Sequence, residues 1–252
     1  MLPFITATTY LTALREGGSL PGLVEADDSG TYVVKFTGAG QGTKALVAEI
    51  VVGELGRRLG IKVPELALID IDKELGRREP DEEVQDLVKA SVGLNLAIDF
   101  LPGSVGYDRS FDIDPADVAP IVWLDAYVAN VDRSARNTNL LIWHRTLWAI
   151  DHGACLRFHH AWGSPEAFAR SPYNYADHVL SGRGNPRTVH DRLSAQVSEQ
   201  LLDEVLELVP DDWLLPDPDR PDPKAPPDAA AARAAYRTYL AMRLAAAERW
   251  LP

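Results

Sequence analysis

Apolar and polar residues change rhythm along this chain, and the rhythm predicts its elements. Residues 31–36 (TYVVKF) are a short β-rich run and predict a strand. Gly38, Gly40 and Gly42 then interrupt the chain. From 43 to 59, Leu46, Ile50, Leu55 and Leu59 recur near helical spacing, with Thr43 able to cap the start and Gly60 just past the end. Residues 64–71 and 94–100 predict two further strands, residues 82–90 a short helix or loop, and residues 15–28 a loop. The first hundred residues therefore predict a small sheet with one helix packed on it.

The second half has a different pattern. Asp114-Pro115 opens a helix through residue 129. Residues 139–142 and 147–150 are apolar runs around His144-Arg145-Thr146 and predict a β-hairpin. The chain is loop-rich from 151 to about 172 and helical over 189–208. Residues 216–228 form a proline- and acid-rich linker. Residues 229–250 predict an amphipathic helix with Tyr236, Leu240, Leu244 and Trp250 on its buried side.

Composition narrows the function classes. A chain of 252 residues, 46% hydrophobic, can bury one large core or form two lobes around a cleft. The net charge of −12 argues against nucleic-acid partners, which need clustered Lys and Arg, and against an anionic membrane surface. Cys155 is the only cysteine, so no intrachain disulfide forms and a reducing, cytoplasmic location is expected. No signal peptide is read at Met1-Leu2-Pro3-Phe4, and no run approaches the ~18 apolar residues of a membrane-spanning helix.

The densest chemistry is Asn130-Val131-Asp132-Arg133-Ser134-Ala135-Arg136-Asn137, followed by the hairpin and Asp151-His152-Gly153. Phosphoryl transfer from ATP needs a carboxylate to orient the acceptor hydroxyl, oxygen ligands for Mg²⁺, and a cation on the phosphates. Asp132 suits the first task. Asn137, five residues on, and Asp151, carried by the hairpin, suit the second. Protein kinases place a catalytic Asp, an Asn and an Asp-x-Gly in this order. Lys35 in an apolar strand and Glu49 in the following helix match the strand-Lys and helix-Glu pair that holds phosphates. Gly17, Gly18 and Ser19, before the strand, can offer backbone N–H groups to phosphate.

The ordered set Lys35, Glu49, Ile98-Asp99-Phe100-Leu101, Asp132, Asn137 and Asp151-His152-Gly153 resembles the HipA-like kinases. Its catalytic loop is similar to the Asp-Arg-His-x-x-Asn loop of phosphatidylinositol-kinase-type enzymes, with Ser134 in place of His. The resemblance implies an α+β, two-lobed, protein-kinase-like fold: a small β-sheet N-lobe with one helix over 1–101, and a mainly helical C-lobe over 102–252. It implies ATP and Mg²⁺ as cofactors. Asp132 becomes the catalytic base, Asn137 and Asp151 the metal ligands, and Lys35 the phosphate lysine with Glu49 its partner. Asp99, Phe100 and Leu101 become the hinge that meets adenine, and Ser19 a candidate phosphorylation switch. The chain departs from the pattern at His152, at Asn130-Val131 and in the glycine loop.

The expected activity is transfer of the γ-phosphoryl group to a hydroxyl acceptor, first of all a protein Ser or Thr. The alternatives are a small-molecule kinase, an AMP-transferase on the same fold, a non-catalytic nucleotide-binding scaffold, and a metal-dependent hydrolase. His152, His159, His160 and His178 have no zinc-site spacing and are expected near the cleft as loop histidines. Cys155 is expected as a buried small residue, and Trp123, Trp143, Trp148 and Trp162 as core.

Overall fold

The computed structural model describes residues 1–14, 20–40, 42–77, 79–216 and 221–252. The chain forms two compact units, Met1–Leu46 with Pro64–Pro102, and Val47–Val63 with Gly103–Pro252.

The first unit is built on five strands: β1 (Phe4–Ala13), β2 (Gly22–Ala26), β3 (Thr31–Lys35), β4 (Leu66–Ile71) and β5 (Gly93–Asp99). They close into a barrel in the order β1-β2-β3-β5-β4. Only β1 and β4 pair in parallel, with Phe4 opposite Leu68. One expectation needs correction here: residues 22–26 are a strand rather than part of a loop. The expected small sheet closes into a barrel, which the strand pattern does not specify. Alternation explains β2: Gly22, Val24 and Ala26 point inward and are buried while Leu23 and Glu25 are not. Helix α2 (Glu82–Ala90) starts at Asp81, whose carboxylate accepts the Glu83 N–H at 3.0 Å, and buries Val84 and Val88 one turn apart in the barrel core. The glycine-rich connector after β3 is tethered. Asn95 Oδ1 accepts the Thr37 N–H at 2.8 Å, and Ser91 Oγ accepts that of Gly38 at 3.0 Å. A Cβ on Gly38 would sit 2.8 Å from Ala90 Cβ, so the close approach itself requires glycine.

Helix α1 (Gly42–Arg58) ends before Gly60, whose φ of +82° is the left-handed conformation that stops a helix. In the second unit, α3 (Pro115–Val128) is capped by Asp114, whose side chain accepts the Ala116 N–H at 2.9 Å. Residues 121–128 are buried on every side, as expected of a helix apolar all round. Strands β6 (Val105–Gly106), β7 (Leu140–Trp143) and β8 (Thr146–Ala149) form a second sheet. The β7–β8 turn is only His144-Arg145, both with positive φ (47° and 63°), the signature of a type I′ hairpin.

The helices that follow are more broken than their periodicity predicts. The loop-rich region carries a 3₁₀ turn (Arg157–His160) and α4 (Pro165–Ala169). The helix expected over 189–208 is two, α5 (His190–Gln196) and α6 (Glu199–Leu206), because Ser198 leaves helical geometry and caps α6 by accepting the Leu201 N–H at 3.1 Å. Beyond α7 (Asp211–Leu214), the terminal helix divides into α8 (Ala229–Ala245) and α9 (Ala247–Trp250). Trp123, Tyr127 and Trp250 pack with centroids 5.2–5.8 Å apart and join α3 to the chain end. Tyr236, Leu240 and Trp250 are buried as expected and Leu244 is half-buried, but Arg243 is also fully buried.

Candidate active site

The catalytic-loop candidate begins where α3 ends. Ala129 takes φ +56° and closes the helix, turning residues 130–139 away from its axis. Asp132, half-buried, receives two amide groups on one oxygen. Asn137 donates to Asp132 Oδ2 at 2.8 Å, and the buried Asn139 donates to the same atom at 3.1 Å. The Asp132 N–H is in turn accepted by Asn130 Oδ1 at 3.1 Å. Asp132 and Asn137, singled out by their spacing, are thus in direct contact.

Beneath this loop lies a buried charge network. Arg133 Nε donates to Asp125 Oδ2 at 2.6 Å, and both side chains are shielded from water. The Asn130 amide donates to Asp125 Oδ1 at 2.8 Å. His178 Nδ1 accepts the Leu180 N–H at 3.0 Å, so its Nε2 carries the proton that meets Asp125 Oδ2 at 3.0 Å. Burial alone would raise the Asp125 pKa, but the Arg133 charge and the His178 hydrogen bond outweigh it and hold the carboxyl well below the usual range. Burial likewise disfavours charge on Arg133, and Asp125 reverses the balance and raises its pKa.

The same guanidinium fixes the Asp-His-Gly segment. Arg133 donates to the carbonyls of Asn139 and of Ile150 (3.2 Å for the latter), and its Nη2 faces His152 Nδ1 at 3.3 Å. On the other side, the buried Glu49 of α1 accepts the His152 N–H at 2.9 Å. Asp151 is thus held from both neighbours, in a left-handed conformation with φ +57°. That conformation costs an L-residue on the order of 1–2 kcal/mol and persists where surroundings over-determine it.

The remaining predicted residues lie in the first unit. Lys35 ends β3 opposite Leu96. Asp99 ends β5 opposite Tyr32, and its N–H is accepted by the Glu65 carbonyl at 2.8 Å. Burial, then Glu65 and Asp28, push the Asp99 carboxyl up. The Phe100 N–H reaches the Thr31 carbonyl at 3.0 Å, and Leu101 is buried. Gly17, Gly18 and Ser19 lie outside the described residues. Among the described residues no group of three or more His, Cys, Asp or Glu side chains is arranged to hold a metal ion. No helix among them is long and apolar enough to cross a membrane.

A family described as HipA-like kinase matches residues 9–234, most of the chain. The chain belongs to the HipA-like kinase family. This HipA-like kinase is similar in structure to a Helicobacter pylori proinflammatory kinase, CtkA. The TM-score is 0.57 at 13% sequence identity, over 99% of this chain and 95% of that one. At that identity the likeness shows the fold. Two structures of a Golgi casein kinase, one with Mn/ADP bound, match at TM-scores of 0.46 and 0.47 and 12% identity. They cover 98% and 96% of this chain and 74% and 72% of those. No curated protein matches the chain.

Several residues of this HipA-like kinase's candidate site escape a reading by motif. Asp125 was legible in principle, as the one charge in the apolar run Ile121-Val122-Trp123-Leu124-Asp125-Ala126-Tyr127-Val128. Asn139 has no such signal, because its role depends on the hairpin turning back. Glu49 was expected as the partner of Lys35; the bond it accepts from the His152 N–H is one that no spacing rule describes. Cys155 is fully buried, and burial drives its thiol pKa well up, so it is no nucleophile.

Proposed function

We propose that this HipA-like kinase transfers the γ-phosphoryl group of ATP, with Mg²⁺, to a hydroxyl acceptor, in the first place a protein Ser or Thr. The observation that supports this most is the convergence of hydrogen bonds on two segments. Asn137 and Asn139 orient the Asp132 carboxylate, while Arg133 and Glu49 immobilise the backbone around Asp151. Such preorganisation is what a positioning-dominated reaction demands. In this reading Asp132 takes the hydrogen bond of the acceptor hydroxyl and orients its oxygen for in-line attack. The Asn137 amide oxygen and the Asp151 carboxylate are hard donors suited to Mg²⁺. Lys35 meets the phosphates that are not transferred, with Glu49 as its partner. Asp99, Phe100 and Leu101 meet adenine, and Gly17, Gly18 and Ser19 approach the phosphates through backbone N–H groups. Bound Mg–ATP supplies the activated phosphoryl group and offsets its charge.

The test is incubation of the whole chain with γ-labelled ATP, Mg²⁺ and a hydroxyl-bearing protein acceptor. Label should pass to the acceptor. Asp132→Asn should lower the rate by about 10²–10⁴-fold while nucleotide binding persists. Asp151→Ala should abolish the dependence on added Mg²⁺ along with the activity. Equal labelling by the parent chain and Asp132→Asn would sink the assignment. A product that gains adenylate instead of phosphate reassigns the chemistry to AMP transfer.

A further inference from the structure

The second unit holds a cavity of about 340 Å³ immediately beside the catalytic-loop candidate. Its walls come from four stretches of chain: the loop itself, Arg157 of the 3₁₀ turn, residues 168–178, and Tyr239 of α8. Loop and segment are paired directly. Ser134 and His178 form an isolated antiparallel bridge, and the Val179 N–H reaches the Arg133 carbonyl at 3.2 Å. The far wall is stapled by the buried Arg243. Its guanidinium donates to the carbonyls of Phe168 (3.2 Å), Ala169 (3.2 Å) and Ser171 (3.0 Å), and to those of Ala126 and Tyr127 (both 2.7 Å) at the end of α3. The cavity is therefore built into the fold: one cation holds residues 168–171 against the helix that carries the loop.

The lining states what the cavity accepts. Val131 is 58% exposed and lies on the cavity wall with the side chains of Phe168, Pro172, Tyr173 and Tyr239. Its charged lining includes one exposed cation, Arg157, and one exposed anion, Asp177, which favour neither sign of charge. The buried polar groups that face it, Arg133 and His178, are already engaged with Asp125. An apolar or aromatic group is the occupant that leaves none of these bonds broken.

Position decides the rest. Val131 and Arg133, on either side of Asp132, line the cavity, but Asp132 does not. A molecule seated wholly inside would not present its hydroxyl to that carboxylate. An extended peptide can serve both places, since neighbouring residues lie about 3.3–3.6 Å apart and project to opposite sides. Resting on the kinase reading above, we propose that this cavity is an acceptor-selection site. It takes a large apolar side chain flanking the Ser or Thr of a polypeptide whose hydroxyl is presented to Asp132.

The experiment uses the whole chain with Mg–ATP and a set of Ser/Thr peptides that differ only in the residues flanking the hydroxyl. Peptides with Phe, Leu or Tyr beside it should exceed those with Asp or Lys by roughly tenfold or more in kcat/KM, about the discrimination of an apolar pocket. Val131→Arg changes an exposed residue and should be tolerated by the fold. It should reduce the preference below about threefold mainly through KM, leaving nucleotide affinity unchanged. Phe168→Ala should shift the preference toward larger flanks. Transfer to peptides with no flank preference, or a preference that both variants retain, overturns the cavity's role. Transfer only to free small molecules overturns the polypeptide class. No transfer to any acceptor, with Asp132→Asn indistinguishable from the parent chain, is instead the failure of the kinase reading itself.

Discussion

Asp125 shows how one residue can order the whole candidate catalytic loop. Its two carboxylate oxygens meet Asn130, Arg133 and His178, so a single buried charge holds the start of the loop, its centre and the segment opposite. A buried ion pair adds little net stability over an apolar pair, but removing one partner strands the other. Asp125→Asn leaves the Arg133 guanidinium uncompensated in the interior. It should destabilise the chain by about 3–5 kcal/mol in urea unfolding, because the lost partner faces no water. A loss below ~1 kcal/mol would mean that Arg133 finds another anion. The double substitution Asp125→Leu/Arg133→Met should recover much of the stability while losing activity, which separates folding from the ordering of the loop.

At the scale of elements, the β7–β8 hairpin is the device that delivers Asp151. Its register, Leu140 opposite Ala149 and Trp143 opposite Thr146, returns the chain so that the Asn139 carbonyl accepts the Ile150 N–H at 3.1 Å. The two turn residues take left-handed conformations that His and Arg adopt at a cost and that Asn-Gly adopts readily. Replacing His144-Arg145 by Asn-Gly should therefore raise stability by about 0.5–1 kcal/mol, read as a higher urea midpoint with an unchanged m value. Phosphotransfer should be unaffected, since the turn lies at the opposite end of the hairpin from Asp151. A fall in stability would show that the contact of the His144 ring with Trp143, 4.4 Å between centroids, outweighs the relief of the turn. The hairpin itself was legible, because apolar runs flank a polar break. Its turn was not, because His-Arg carries none of the Gly or Asn that marks a type I′ turn.

For the whole molecule, buried titratable groups bracket the stable pH range. The Asp125 pKa is depressed in the fold, so its contribution is complete above the unfolded carboxyl value of about 4 and fades as pH falls below it. Asp99 and Asp117, pushed up by burial first, act in the opposite sense, but they are half-buried and exposed. At the alkaline side, burial raises the phenols of Tyr127, Tyr173 and Tyr236, takes Tyr239 up to about 12, and raises the Cys155 thiol. A group raised in the fold stabilises it below its unfolded pKa and ceases to do so as pH climbs. The urea midpoint should therefore be nearly flat from roughly pH 5 to 8, drop below about 4, and drop again above about 10. A midpoint that holds through pH 11 would show that these phenols reach water.

Local pattern alone placed α1, α3, β3, β4 and β5 within a residue or two, left residues 82–90 open between helix and loop, and singled out Asp132, Asn137 and Asp151 as candidates by their order. Those features are read within a few turns of chain. Closure of the barrel, the break at Ser198, the charge centre around Asp125 and Arg133, and the staple made by Arg243 were decided only by the tertiary structure. Each depends on groups far apart in sequence meeting where water is excluded, and a polar residue's partner in the interior is set by the packing that buries it.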